Sequence, residues 1–244
     1  MGLETIRVDV RKVLQPYLDK IITKIGRENI VSIILYGSAT GEDYIPGRSD
    51  INLLIVVKDI DFDHLRAIIP IVLKGIKKRI PPPLIVRPPY IERSVDVFPI
   101  EFLEMRDTRV VIYGEDLLAN VEPTREQLRL ECEEKIKGQL LTIRSAYIEN
   151  GNSPKTLRNL LIRSFAAIIP VLRQLLRLKG LQPPVSRDAV INKVAEQFNI
   201  IDADTFIKLL QLRRGISFTS MELIGLFESY HRELEKLADI ADSI

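Results

Sequence analysis

A chain of 244 residues is long enough for one large domain or two of ordinary size, and its 46% hydrophobic content can build extensive cores. Its 35 lysines and arginines nearly balance 33 aspartates and glutamates, so the net charge of +2 gives no global case for binding nucleic acid or an anionic membrane. Cys132 has no second cysteine to pair with, and the N-terminus MGLETIRVDVRK is too charged for a signal peptide, so we expect a cytoplasmic protein. The longest apolar stretches fall short of the roughly 18 residues of a membrane span, so we expect no membrane partner.

The first half of the chain alternates helix-like and strand-like segments. Apolar residues at three- and four-residue spacing predict an amphipathic helix over residues 3–25. Two short β-rich runs bounded by turn residues, 30–37 and 51–57, predict strands buried on both faces. Residues 62–79 return to a helical pattern with a basic end, which suits a helix C-terminus.

A proline-rich stretch, PPPLIVRPPYIERSVDVFPIEFLEM, follows this second helix. Its segment SVDVFPIEFL alternates as a strand does, and Pro99 favours an edge position, so we predict a third strand there. Beyond Glu122 the character changes and the pattern is almost entirely helical. The sequence therefore predicts two domains, residues 1–122 and 123–244.

The second half is predicted to be an α-helical bundle. Thr124 and Gly151 bracket its first helix, and Gly180 ends the second, which contains Pro170. Ser186 and Asp202 are predicted to cap the next two helices, and Thr219 with Glu222 forms a capping-box pattern for the last.

The segment LYGSATGEDYIPGRSDINLLIVV carries the chemistry. An apolar strand ends in Gly37-Ser38, a turn whose backbone N–H groups suit a triphosphate. Eleven residues (39 to 49) then separate Ser38 from Asp50, which opens the next strand. Because side chains alternate along a strand, Asp50 and Asn52 are expected on the same face, where two oxygen ligands share one site.

This arrangement resembles the nucleotidyltransferase superfamily typified by DNA polymerase β and the aminoglycoside nucleotidyltransferases. The family pattern is an apolar strand, Gly-Ser, a gap of about ten residues, then Asp, a hydrophobic residue, and a second Asp or Glu, with a third carboxylate on a later strand. The resemblance is sharp over residues 28–58, loose over 59–118, and reaches the C-terminal half only as a helical appendage. It implies an α+β fold: a mixed-sheet nucleotidyltransferase-like domain followed by a helical bundle.

The resemblance also implies the roles of individual residues. Gly37 and Ser38 would contact the triphosphate, with Arg48 and Ser49 as further nucleotide-binding candidates. Asp50, Asn52 and Glu101 would form the catalytic and metal-binding set, with Glu104 in reserve for Glu101. The implied activity is transfer of a nucleoside monophosphate from a nucleoside triphosphate to a hydroxyl, with Mg²⁺, on a small molecule, protein or nucleic acid.

Asn52 departs from the family pattern, because an amide stands where the second carboxylate is expected. The amide removes one negative charge from beside the metal ions, and a pair of unit charges at about 4 Å is worth on the order of 4 kcal/mol at an effective dielectric of about 20. That corresponds to two or three orders of magnitude in metal occupancy or rate, so weakened or lost catalysis is expected. The alternative function is a catalytically inactive protein that binds nucleotide or regulates a partner, and a homodimer is a further option.

Each of these residues also has a purely structural interpretation. Gly37-Ser38 is also compatible with an ordinary turn, Asn52 with a strand residue bonded to backbone, and Glu101 or Arg48 with solvated side chains. The basic cluster 74–79 is expected to be a solvated helix end, since no aromatic residues interleave it. His64 and His231 lack zinc-ligand spacing and lack an upstream Arg at the distance of toxin-type helical ribonucleases.

Overall fold

The computed structural model describes residues 2–150, 153–199 and 201–244, without the side chain of Asn150. The chain divides into two compact units, Met1–Glu122 and Pro123–Ile244. The division falls where the character of the sequence changes.

The first unit is built around a sheet of four strands. Its elements are α1 (Val8–Ile25), β1 (Ile30–Tyr36), β2 (Asn52–Val57), α2 (Phe62–Ile76), β3 (Leu84–Val86), α3 (Pro88–Ser94), α4 (Pro99–Thr108) and β4 (Val110–Gly114), with short 3₁₀ turns at Gly2–Thr5, Arg27–Asn29 and Gly37–Thr40. The predicted strands and helices up to residue 79 are confirmed, with α1 beginning at Val8 and α2 ending at Ile76.

The sheet is mixed, with the strand order β3-β2-β1-β4. β1 lies antiparallel to both β2 and β4, whereas β2 and β3 are parallel. Alternate residues of the two central strands enter separate cores: Ile33 and Leu53 pack with α1, while Ile34 and Leu54 pack with Phe102 of α4. The central strands are therefore buried on both faces, as their apolar runs predict.

The predicted third strand over SVDVFPIEFL is wrong, because this stretch belongs to α3, a turn and α4. Prolines occupy the first turn of both helices, where the missing N–H has no intrahelical partner and the fixed φ suits the helix. Pro99 therefore starts a helix and does not mark an edge strand. The two remaining strands, β3 and β4, have only 3 and 5 residues.

The second unit is entirely helical over its described residues. It contains α5 (Arg125–Asn150), α6 (Pro154–Leu178), α7 (Arg187–Gln197), α8 (Ala203–Arg214) and α9 (Ser220–Ser243). The side chains of Ser186 and Asp202 cap α7 and α8, and Thr219 with Glu222 closes a capping box at α9, as predicted. The predicted end of the first helix at Gly151 lies outside the described residues.

Helix α6 is the central helix of this unit. By length and composition alone it is apolar enough to cross a membrane, but 61% of its apolar window is buried inside the protein. Such burial is typical of a core helix. Phe165 and Leu172 are fully enclosed, so Pro170 lies in a helix whose neighbours pack on several sides.

Candidate functional site

The turn after β1 is set by Gly37. Its φ is +78°, in the left-handed region, and a Cβ there would lie 3.2 Å from Nδ2 of Asn52. Asn52 begins β2 and pairs with Tyr36 in the strand register, which brings the amide beside the turn. Gly37 is therefore required both by its backbone angle and by the side chain across the ladder.

The turn is also tied to α4. The Gly37 N–H donates to Oγ1 of Thr108 at 2.8 Å, and the Thr108 hydroxyl donates to the Glu104 carbonyl. Ala39 in the same turn is fully buried. Since the Gly37 N–H already has an acceptor, Ser38, which is half-buried, is the group of the Gly-Ser pair better placed to meet a ligand.

The loop between the turn and β2 closes on Ser49. Its buried hydroxyl accepts from the Ile45 N–H at 3.0 Å, and its own N–H donates to the Ile45 carbonyl at 2.8 Å. These two contacts give Ser49 a structural role in the loop. The neighbouring Arg48 is exposed.

Asp50 and Asn52 lie on either side of Ile51, which is buried, and both are more accessible than Ile51. The Asp50 carboxylate forms an ion pair with Arg79, its Oδ1 lying 3.1 Å from Nη2. Both side chains are about half-exposed, so water screens the pair and its net contribution to stability is small. The ion pair matters because it places the Arg79 guanidinium beside Asp50, just before β2 begins.

Arg79 is held in a conformation unusual for its residue type. Its φ is +64°, and no other non-glycine residue among those described has a positive φ. The Arg79 carbonyl accepts from the Ile51 N–H at 2.8 Å, and its guanidinium donates to the Arg48 carbonyl. A left-handed conformation costs a residue with a Cβ about 1–2 kcal/mol, which these contacts to the loop and strand offset.

Glu101 does not occupy a strand. It lies in the first turn of α4, and its Oε2 is buried. Thr108, the residue that contacts Gly37, is seven residues further along the helix, a rise of about 10 Å. Glu104 is only one turn from Thr108, on the same helical face, so the reserve candidate is nearer the turn than Glu101.

The side chains present do not fit a two-Mg²⁺ centre. Within residues 2–150, 153–199 and 201–244, no group of three His, Cys, Asp or Glu side chains could hold a metal ion. Asn52 offers a neutral oxygen, and Asp50 already faces a guanidinium. Mg²⁺ needs octahedral oxygen ligands, and two ions need several carboxylates for charge balance, so no reaction step is assigned to a metal here.

Comparison with known proteins gives a match in structure but none in sequence. No protein-family model and no curated protein matches the chain. The crystal structure of spectinomycin adenyltransferase AAD(9) from Enterococcus faecialis, with ATP and spectinomycin, is similar with a TM-score of 0.60. The chain has a nucleotidyltransferase-like fold. The similarity covers 95% of this chain and 98% of that one at 13% identity, so it spans both units and shows the fold alone.

Gly37, Asp50 and Asn52, the residues predicted from the sequence, lie at the ends of β1 and β2, and their functional roles stay predictions. Sequence reasoning did not find Arg79 or Thr108. Arg79 belongs to a basic run with the composition of a solvated helix end, and its contact with Asp50 crosses residues distant in sequence. Thr108 has no local signal, since its role depends on how α4 packs against the turn.

Proposed function

We propose that this chain binds a nucleoside triphosphate at the turn formed by Gly37 and Ser38 and does not transfer a nucleotide from it. The observation that carries the proposal is the ion pair between Asp50 and Arg79, beside an amide at position 52. The site keeps the turn of a nucleotidyltransferase and replaces much of its negative charge with neutral and positive groups.

Arg79 supplies the cation for the phosphates in this account. A guanidinium donates to two phosphate oxygens at once, and such charge-assisted bonds are about twice as strong as neutral ones. The pair with Asp50 is half-exposed, so the guanidinium can bind phosphate without first leaving a buried partner. The exposed Arg48, whose carbonyl contacts Arg79, adds a second positive charge nearby.

In this proposal the chain acts by binding, and a bound nucleotide that alters its association with a partner would give it a regulatory role. Transfer needs more than binding, because the developing charge on the phosphoryl group must be stabilised as the reaction proceeds. Arginine cannot activate an acceptor hydroxyl by coordinating it, as a metal ion does. The proposal therefore separates nucleotide affinity, which is kept, from catalysis, which is not.

A second candidate function is Mg²⁺-dependent transfer of a nucleoside monophosphate to a hydroxyl acceptor. The AAD(9) structure holds ATP and spectinomycin, and its similarity to this chain extends through the helical unit. That coverage favours retention of a place for an acceptor. The donor set counts against this candidate, because no group of three His, Cys, Asp or Glu side chains among the described residues could hold a metal ion.

The two candidates are separated by a labelling assay. Wild type, Asp50→Ala and Asn52→Asp are incubated with α-³²P-labelled nucleoside triphosphates, Mg²⁺ or Mn²⁺, and a pool of acceptors from cell extract. The proposal predicts no transfer by wild type, even when direct binding of ATP is measurable. Transfer by wild type that Asp50→Ala abolishes would establish the second candidate.

The Asn52→Asp variant then tests the reason for inactivity. If the amide is the main defect, this variant gains measurable transfer, because it restores the second carboxylate beside Asp50. If it stays inactive while still binding ATP, Arg79 and the missing third carboxylate also contribute. Failure of all three proteins to bind ATP would contradict the proposed function itself.

A further inference from the structure

Helix α2 has a buried apolar face and an adjoining exposed one. One face, which includes the buried Ile68 and Gly75, packs into the first unit beside α1. The other face is exposed and is formed by Phe62, Leu65, Ile69, Leu73 and Ile76, with exposed fractions of 75, 37, 52, 56 and 47%. Five large apolar residues in one stripe form a contiguous exposed patch, of the kind that marks interaction surfaces.

The stripe is symmetric about Ile69. Its successive spacings along the chain are 3, 4, 4 and 3 residues, so the pattern reads the same in either direction. When two such helices pair antiparallel about a two-fold axis at Ile69, Phe62 of one copy faces Ile76 of the other, and Leu65 faces Leu73. Each residue then has an apolar counterpart, which is the condition for an isologous interface.

The charges at the ends of α2 favour the same arrangement. Asp61 caps the N-terminus and Asp63 lies in the first turn, whereas Lys74, Lys77 and Lys78 cluster at the C-terminus. Antiparallel pairing brings the acidic end of one helix close to the basic end of the other, and it aligns the helix dipoles favourably. A parallel pairing would bring like charges together.

The apolar surface extends beyond the helix itself. Beside the stripe, Pro82, Pro83 and Ile85 form the far wall of an open groove of about 440 Å³, whose near wall includes Leu65, Ile69 and Leu73. A single helix of 15 residues is about 22 Å long, a modest contact alone. The groove adds surface that apolar side chains of a partner helix can fill.

From these observations we propose that the exposed stripe of α2 binds the same stripe of a second copy of this chain, in an antiparallel two-fold pair centred on Ile69. None of Gly37, Asp50 and Arg79 belongs to this stripe, which ends at Ile76, where the Ile76 carbonyl accepts from the Arg79 N–H at 3.1 Å. The proposal does not depend on nucleotide binding. The occupant is a second copy because both the spacing and the charge distribution are complementary to themselves. A different protein would have no reason to match that symmetry.

A cysteine at the axis tests the arrangement. Ile69→Cys places two thiols opposite each other across the two-fold axis, so mild oxidation is expected to join two chains by a disulfide. The native Cys132 is buried and does not interfere. Leu141→Cys on α5, at a residue 64% exposed, is the matched control and is expected to remain largely uncrosslinked under the same conditions.

Sedimentation over a concentration series gives the second measurement. Wild type is expected to reach twice the 27.9 kDa mass of one chain, and Ile69→Asp, which places two carboxylates at the axis, is expected to remain at 27.9 kDa. Circular dichroism checks that this exposed substitution leaves the fold intact. A monomeric wild type with no crosslink at Ile69→Cys beyond the control would overturn the proposal, as would a dimer that persists in Ile69→Asp without that crosslink.

Discussion

At the scale of single residues, the site depends on backbone angles as much as on side chains. Gly37 and Arg79 both have positive φ, at +78° and +64°. Gly37 follows β1, and Arg79 contacts Ile51 just before β2. At Gly37 the residue type suits its conformation, whereas at Arg79 it does not. A strained residue is retained where its surroundings fix it in place, which is often at a functional site.

Gly37→Ala is expected to destabilise the protein by about 1–2 kcal/mol, through the left-handed backbone and the contact of the new methyl group with Asn52. The matched control is Gly41→Ala, because Gly41 has φ of −138° and open space around its Cβ position. Urea unfolding midpoints measure both. Equal midpoints for the two variants would contradict the structural role assigned to Gly37.

Arg79→Gly is expected to separate stability from binding. Glycine adopts the left-handed conformation without strain, so the free energy of unfolding should stay unchanged or rise by up to about 1 kcal/mol. Nucleotide affinity should fall about 10- to 100-fold, the usual value of a lost charge-assisted hydrogen bond. Arg79→Lys keeps the charge but not the planar fork, so intermediate affinity is expected. Unchanged affinity in Arg79→Gly, measured by calorimetry, would remove Arg79 from the site.

Residues of the candidate site that are close together in the sequence could be predicted, whereas those far apart could not. Gly37, Asp50 and Asn52 fall within one strand-loop-strand segment, so local spacing places them together. Arg79 reaches Asp50 only because the segment after α2 returns to the mouth of β2, and the Arg79 carbonyl bonds Ile51 there. No local pattern encodes that return, and an arginine with positive φ contradicts ordinary residue preference.

At the scale of helices and strands, prediction succeeds where the determinants are local. The caps at Ser186, Asp202 and Thr219 depend on hydrogen bonds over two or three residues, and all three are formed. The strand predicted around Pro99 fails because alternation over a short stretch is weaker evidence than proline at a helix start. Strands β3 and β4 are too short for a recognisable pattern in the sequence. β3 forms by pairing with β2, and β4 by pairing with β1.

The cap at Asp202 gives a pH-dependent prediction. Its carboxylate accepts from the Thr205 hydroxyl and from the Asp204 N–H, and these bonds lower the pKa of Asp202 below its ordinary value of 3.8, the Thr205 bond being the largest cause. Because the folded-state pKa is lower than the unfolded one, this stabilisation is present above pH 3.8 and is lost as the pH falls through the folded pKa.

Asp202→Ala should therefore cost about 1 kcal/mol near neutral pH, and its difference from wild type should shrink in acid. Asp202→Asn is the control, since it keeps an acceptor without the charge and should retain most of the stability. Urea midpoints measured across the acid range test this. A difference between wild type and Asp202→Ala that does not change with pH would contradict the assignment.

At the scale of the whole molecule, the helical unit has an apolar core that contains hydrogen-bonded polar side chains, and one set of these bonds joins three helices. Gln139 donates to the Ser164 hydroxyl at 2.8 Å, and Ser164 and Tyr230 share a hydrogen bond of 2.7 Å, which links α5, α6 and α9. Burial raises the pKa of Tyr230, so its hydroxyl stays protonated. This chain of bonds fixes how the three helices align.

Tyr230→Phe is expected to destabilise the helical unit by about 1–2 kcal/mol, because it leaves Ser164 with a single partner in a buried site. Ser164→Ala should cost a similar amount, and the double variant should cost less than the sum, since the two residues share one bond. Chemical unfolding followed by circular dichroism measures the cycle. Additive effects would contradict the coupling.

The fold as a whole was predictable and the chemistry less so. Periodicity and turn residues indicate a unit of strands and helices followed by a helical unit, and the family resemblance implies a mixed sheet. The similarity to AAD(9) confirms that fold class. The expected Mg²⁺ centre follows from family pattern alone, and the donors present do not fit it. A fold is set by many weak preferences that agree, whereas a metal site needs a few side chains at fixed positions, so one amide at position 52 changes the outcome.

The most direct test of the central claim is calorimetric titration of the wild-type protein with ATP, once in excess EDTA and once in Mg²⁺. If Arg79 supplies the cation for the phosphates, ATP binds with similar affinity in both, and Arg79→Gly loses most of that affinity in both. Binding that requires Mg²⁺ and survives Arg79→Gly would contradict the account, because the metal would then supply the charge assigned to Arg79.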